Sequence, residues 1–342
     1  MVNRAMSGHP RAVAAAVVLG SAALLAACSS GSSTSSATSG PLASEVPPPN
    51  SVATSVVTLP PTVPAGTATA APAPAPAGST GTAPPTVATS VGTNADSSKF
   101  DPTAFGDNPA RGANQWFPLT PGYQSVREGG VNKGSRRLPH RRVYTVTNMS
   151  KVIDGVKTVM VLDQDFDGGE LAEQAIDYLA EDNQGNVWYL GSYTEAYEGG
   201  QFVQANDAWL TGVNGGKAGV LMMTDPTTDT PKYAQATVPG EGTAKAQVKK
   251  TGESICVPFN CYQGVLVIEE DGSELTYYAS GVGGIKLEPE SGNPQETEQL
   301  INLTQLSTEG LNELSAEAKM LDDHAHTEAK GVFGSSAAAQ PL

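Results

Sequence analysis

Asp163, Asp165, Asp167 and Gly168 stand in the spacing Asp-x-Asp-x-Asp-Gly that opens a calcium loop, where alternate side-chain oxygens ring the ion. The loop is not completed. Its twelfth position is Gln174 where a bidentate Glu is needed, and the flanks at 159–162 and 175–176 have strand character. Alternation sets the three aspartates on one face of an outgoing strand that turns at Gly168-Gly169. The expectation is a solvated acidic hairpin, with weak Ca²⁺ binding as the alternative, and no metal site is assigned.

Lys133, Arg136, Arg137, His140, Arg141 and Arg142 form the one dense basic cluster. The guanidinium forks of Arg136, Arg137, Arg141 and Arg142 would suit an anion such as a lipid phosphate or an anionic wall polymer. The simpler expectation is a solvated loop that leads into a strand at Val143 and balances nearby acids. Tyr189, Tyr193 and Tyr197 share the parity of Val187, so an extended strand sets them on one face, with Phe202 and Trp209 across a hairpin. Such a stripe stacks on a glycan, lines an apolar groove or is simply core. Tyr189, Tyr193, Tyr197 and Trp209 are therefore the candidate ligand-binding residues.

Nucleophilic catalysis is poorly supplied. Past the first few residues the histidines are His140, His324 and His326, and neither a Gly-x-Ser-x-Gly elbow nor a His-Glu-x-x-His pair occurs. His324 and His326 are about 200° apart around a helix and cannot share a metal there. The glycine-rich run 212–219 is out of frame for a phosphate loop. Paired carboxylates for glycoside cleavage stay open, because acids are abundant. No catalytic residue and no cofactor is assigned.

The elements that must position these residues are short β-rich runs separated by Gly, Asn and Asp turns. Strands are expected at 123–128, 142–148, 156–166, 171–181, 187–197, 201–210 and 218–223. Six more follow at 232–238, 244–250, 264–270, 275–279, 285–288 and 298–306. Hairpin turns fall at Asp154-Gly155, Glu198-Gly199-Gly200 and Asp271-Gly272, where Gly or Asn-like residues take positive φ. The fold class is mainly β: an antiparallel meander curled into a barrel or half-barrel, since an open sheet of this size would expose its edges. Leu311, Leu314, Ala318, Leu321 and Ala325 make one stripe of a C-terminal amphipathic helix within 307–333, capped by Ser307, that covers the sheet. The tail 334–342 is expected to be disordered.

Of 20 basic and 35 acidic residues, only Arg4, Arg11, Glu45 and Asp96 precede Lys99, so the net charge of −15 belongs to the part from 99 onward. So acidic a domain argues against nucleic-acid binding. Residues 28–98 are Ser, Thr, Ala, Pro and Val with almost no charge, a composition too poor in large apolar groups to offset ordering entropy. They read as a disordered tether, some ~45 Å from end to end. Residues 99–306 then form one antiparallel β domain.

The leader joins Arg4 and Arg11 to an apolar run of about 16 residues, shorter than the roughly 20 of a membrane span, and closes on Leu25-Ala26-Ala27-Cys28. It resembles the signal of lipobox-bearing bacterial precursors. That resemblance implies removal of 1–27 by signal peptidase II, a diacylglyceryl thioether on Cys28, and palmitate-type acyl chains that hold the protein on the outer face of the cell membrane. With Cys28 lipidated, Cys256 and Cys261 remain as an even pair in an oxidising compartment, and a disulfide is expected.

Three stretches, Phe117-Pro118-Leu119-Thr120-Pro121-Gly122, Gly-Asn-Val-Trp-Tyr at 185–189 and Tyr277-Tyr278-Ala279-Ser280-Gly281-Val282-Gly283, resemble a family of secreted or lipid-anchored bacterial proteins without an established mechanism. Ser280 stands where that family commonly has Pro. The resemblance implies an extracytoplasmic β domain and transfers no catalytic residue. The expectation is a lipid-anchored envelope protein that binds or supports without catalysis, with a lipid or glycan partner and a leaning toward an apolar or amphiphilic ligand. The alternative is an envelope glycan hydrolase using paired carboxylates.

Overall fold

The computed structural model describes residues 94–292 and 295–342. The leader 1–27, Cys28 and the tether up to residue 93 lie outside the described residues.

The chain is built from β1 (Tyr123–Lys133), β2 (Arg136–Ile153), β3 (Val156–Asp167), β4 (Glu170–Glu181), β5 (Val187–Glu198), β6 (Gln201–Leu210) and β7 (Lys217–Met222). These are followed by β8 (Tyr233–Val238), β9 (Gly242–Cys256), β10 (Cys261–Glu270), β11 (Glu274–Ala279), β12 (Gly283–Pro289) and β13 (Glu296–Gln305). Then come α1 (Thr308–Glu328), α2 (Lys330–Phe333) and the two-residue β14 (Gln340–Pro341). Each expected strand has a counterpart. The largest difference is at β2, which begins at Arg136, so the basic cluster is strand and not a loop leading into one.

All strand pairings are antiparallel, and the turns carry the conformations that tight hairpins need: φ is 47° and 82° at Asp154-Gly155 and 51° and 78° at Asp271-Gly272. β1 pairs with its neighbour β2 and also with β13, which closes twelve strands into a ring with no free edge along its seam. β5 is shared. Its first residues pair with β7, the rest with β6, so β6 stands off the ring as an arm. The principal core runs through β2–β10 and the helices, and a smaller one gathers Val265, Val267, Tyr277 and Ile285 with Val257 of the β9–β10 hairpin.

α1 lies against β2–β6. Ser307 caps it, its Oγ accepting from Gly310 N at 3.2 Å, and the expected stripe turns inward, with Ala318, Leu321 and Ala325 buried. A fully buried ion pair pins it further: Lys151 Nζ of β2 lies 2.9 Å from Asp322 Oδ1, which also accepts from Tyr178 OH at 2.6 Å. The tail does not match the expected disorder. β14 pairs with Met149 and Ser150, Leu342 N donates to Asn148 O at 2.8 Å, and Ala339 N donates to Asp322 Oδ2 at 3.2 Å. The cause lies in β2, whose second half runs past the end of β1 and presents a row of backbone groups that the tail satisfies.

Candidate functional site

Charged side chains converge on the inner face of β1, β2, β3 and β13. Strand register lines up Asp167 of β3, His140 of β2, Gly129 of β1 and Glu298 of β13 as successive neighbours. Gly129 is what lets β1 and β13 approach here, since a Cβ on it would fall 1.8 Å from the Thr297 carbonyl oxygen. One step along the strands, Arg127, Arg142 and Asp165 form the next row.

Arg142 is fully buried and forked onto Asp163, its Nε 2.9 Å from Oδ1 and 3.0 Å from Oδ2, with Nη2 also on Oδ2. Its Nη1 lies 3.6 Å from Glu298 Oε1 and its Nε 3.8 Å from Asp165 Oδ1. Arg127 Nε holds the other oxygen of Glu298 at 3.1 Å. His140 is 4% exposed, and its Nδ1 lies 2.8 Å from Asp167 Oδ1, which Lys133 Nζ also approaches to 2.9 Å. His140 Nε2 sits 3.4 Å from Glu296 Oε1, 3.5 Å from Glu298 Oε1 and 3.8 Å from Asp165 Oδ1, in hydrogen-bond geometry with none of them.

Burial alone would lower the His140 pKa, but the hydrogen bond to Asp167 and the nearby negative charges of Glu298, Glu296 and Asp165 outweigh it and raise it to about 11. The two glutamates are driven apart. Burial pushes Glu296 up, whereas for Glu298 the charges of Arg127 and Arg142 overcome burial and hold it well below the usual carboxylate range. His140, Glu296 and Glu298 bring one ligand atom each to within 4.8 Å of one another, a donor set able to hold a metal ion. Next to this network the barrel leaves a cavity of about 30 Å³, bordered by Tyr123, Ser125, Arg127, Tyr144 and Tyr278. That is room for a water molecule or two.

The residues singled out in the sequence fall in three places. Asp163, Asp165 and Asp167 do share one face of β3, but that face points into the barrel: Asp163 is 1% and Asp165 3% exposed, so the hairpin is not a solvated acidic one. The same alternation splits the basic cluster. His140 and Arg142 turn inward to meet those acids, while Arg136, Arg137 and Arg141 are exposed, with Arg137 bonded to Asn132 and Thr297. The expected tyrosine stripe is broken by a bulge, because Tyr178 pairs with Gly191 and the next residue, Leu179, with Tyr189. Tyr189 therefore faces inward, donating to Asp177 Oδ1 at 2.6 Å and meeting Trp209 edge-on at 5.1 Å. Tyr193 and Tyr197 face the helices, Tyr193 packing against Phe333 of α2, and both hydroxyls donate to Glu195 of β5.

Tyr197, Glu195, Gln174, Glu317, Met320 and His324 line a surface groove of about 280 Å³ beneath α1. Its two acids are engaged: Glu195 by Tyr193, Tyr197 and His324, Glu317 by Gln164 and Gln174. Cys256 and Cys261 are disulfide-bonded and directly opposed in the β9–β10 register. Arg127, Glu296 and Glu298 were not singled out in the sequence. Their signal was present as parity, since Glu296 and Glu298 alternate on β13 as His140 and Arg142 do on β2, but it becomes legible only when β13 is known to close onto β1.

No family model and no curated protein matches the chain. Two solved structures are similar to part of it: a candidate lipoprotein from Parabacteroides distasonis, at 14% identity, 56% of this chain and 99% of that one, with a TM-score of 0.31; and a candidate exported protein with a YmcC-like fold from Bacteroides fragilis, at 14% identity, the same coverage and a TM-score of 0.30.

Proposed function

We propose that this chain is an extracytoplasmic, lipid-anchored barrel that serves the cell envelope as a structural or surface-binding module, without catalysis. The observation that carries the reading is the filled interior. Arg142 and Glu298 are fully buried and His140 nearly so, each engaged by other members of the same network, where no substrate can reach them. Catalytic acids and bases need contact with a reacting group. A hydrolase would instead need two acids across an accessible cleft, and the pair in the surface groove, Glu195 and Glu317, is occupied by neighbouring donors. A filled barrel also favours a ligand held on the outer surface over an apolar molecule enclosed within, and a lipid or glycan of the envelope is the partner class.

The anchor rests on Leu25-Ala26-Ala27-Cys28 and the uncharged tether behind it. The test is to express the full chain and a Cys28→Ala variant in a bacterium that processes lipoproteins, fractionate the cells, and record native mass spectra of the purified barrel. Wild type sedimenting with membrane and carrying acyl mass, with the variant released, supports the reading. Both chains recovered in the cytosol, or cleavage of purified envelope glycan by the wild type but not by Glu195→Gln, overturns it.

A further inference from the structure

We propose that His140, Glu296 and Glu298 form a binding site for one divalent transition ion, of the Zn²⁺ or Mn²⁺ class, that staples β2 to β13 across the closing strand β1.

Geometry supplies the first argument. His140 Nε2 is 3.4 Å from Glu296 Oε1 and 3.5 Å from Glu298 Oε1. Ligand atoms at about 2.1 Å from a tetrahedral ion stand ~3.4 Å apart, so these spacings are edges of such a site. They are longer than good hydrogen bonds, and all three atoms are buried without a hydrogen-bond partner. His140 is 4% exposed and Glu298 0%, so the orphaned atoms are not turned toward solvent. Leaving buried polar atoms unpaired is costly, and an ion at their centre would engage all three.

The second argument comes from the surrounding residues. Asp167 Oδ1, at 2.8 Å, accepts from Nδ1 of His140 and so points Nε2 toward the two glutamates, where an ion would replace the Nε2 proton. This is the carboxylate–histidine arrangement that orients imidazole ligands in metal sites. Arg127, at 3.1 Å, fixes the far oxygen of Glu298.

Charge supplies the third. The connected network contains three permanent cations, Arg127, Arg142 and Lys133, against five carboxylates: Asp163, Asp165, Asp167, Glu296 and Glu298. Counted without the imidazole it is two negative charges in excess, so a divalent ion taken up in exchange for the imidazole proton would balance it. One imidazole with carboxylates and no thiolate selects Zn²⁺ or Mn²⁺ over soft Cu(I), and the nitrogen ligand disfavours Ca²⁺. Glu296, whose side chain is 13% exposed, lies at the rim and gives the ion its way in. The competing account is that the network balances itself with protons and takes no ion. The proposal stands whether or not the chain is lipid-anchored.

The test uses the barrel purified without chelator, with metal content measured by elemental mass spectrometry, then dialysed against EDTA and titrated with Zn²⁺, Mn²⁺ or Ca²⁺ alone. One Zn²⁺ or Mn²⁺ per chain is expected, with a melting temperature raised by roughly 5 °C or more at a hundredfold excess over Kd and no comparable response to Ca²⁺. Glu296→Gln, an uncharged isostere at the rim, should fold in EDTA and bind at least ten times more weakly. His140→Gln should abolish the response, whereas the double variant His324→Gln, His326→Gln should keep it. Zero stoichiometry in the wild type, a response to Ca²⁺ alone, or a Zn²⁺ response unchanged in Glu296→Gln overturns the proposal. Should His140→Gln not fold, the wild-type stoichiometry and Glu296→Gln decide.

Discussion

At the scale of single residues, the barrel interior shifts the pKa values of its carboxylates in opposite directions, upward by burial and downward by paired cations. Glu270 of β10 is the clearest case away from the His140 network. Burial raises its pKa above the usual 4.5, and the hydrogen bonds it accepts from Thr276, Gln235 and Tyr278 offset that only in part. A carboxyl raised in the folded state keeps its proton where the unfolded chain has lost it. Its contribution is complete below pH 4.5 and is lost as pH rises through the folded value. Glu270→Gln imitates the neutral form, and the Thr276 hydroxyl can turn to accept from its amide. The variant should be more stable than wild type at pH 8, by on the order of 1 kcal/mol or about 2–4 °C, and indistinguishable from it near pH 4. Thermal melts across that range check the sign.

At the scale of elements, α1 and the tail act as one clamp on the outside of β2. Asp322 is the shared point: it takes Lys151 from the sheet, Tyr178 from β4 and the backbone of Ala339 from the tail. Asp322→Ala leaves the Lys151 charge buried without its partner, which should cost about 3–5 kcal/mol and free the tail. Urea melts of that variant and of a chain ended at 307 should both fall well below wild type, and hydrogen exchange should show lost protection at 149–150 in each. This helix was legible in the sequence because its stripe repeats at helical spacing and Ser307 announces its start. The tail was not. Ala-rich, uncharged residues carry no pattern of their own, and they are ordered by an edge that exists only once β2 outruns β1.

The hairpins of the whole molecule were legible for the same local reason, since Gly, Asn and Asp at the turns and alternation between them need nothing distant. What escaped was the direction of the faces. Asp163, Asp165 and Asp167 read as solvated because acids usually are, and the arginine run read as a loop because charge usually marks one. Both are correct priors that a charged barrel interior overrides: β2 and β3 each send inward the charges that the other neutralises. The break in the tyrosine stripe was equally hidden, because the bulge beside Gly191 is set by how β5 divides itself between β6 and β7. Local pattern gave the elements, and ring closure decided which residues meet.

That closure joins Tyr123 to Gln305, the beginning of the meander to its end. A nascent chain therefore holds β1 with one row of backbone groups unsatisfied until almost the entire domain has emerged. During that interval the half-built cylinder has two sticky rims in place of none, and its interior charges stand in water without their counterparts from β13. Such an intermediate invites strand exchange between neighbouring copies, so a helper that shields open β edges during biogenesis would matter more to this protein than to a meander whose strands each find their partners next door.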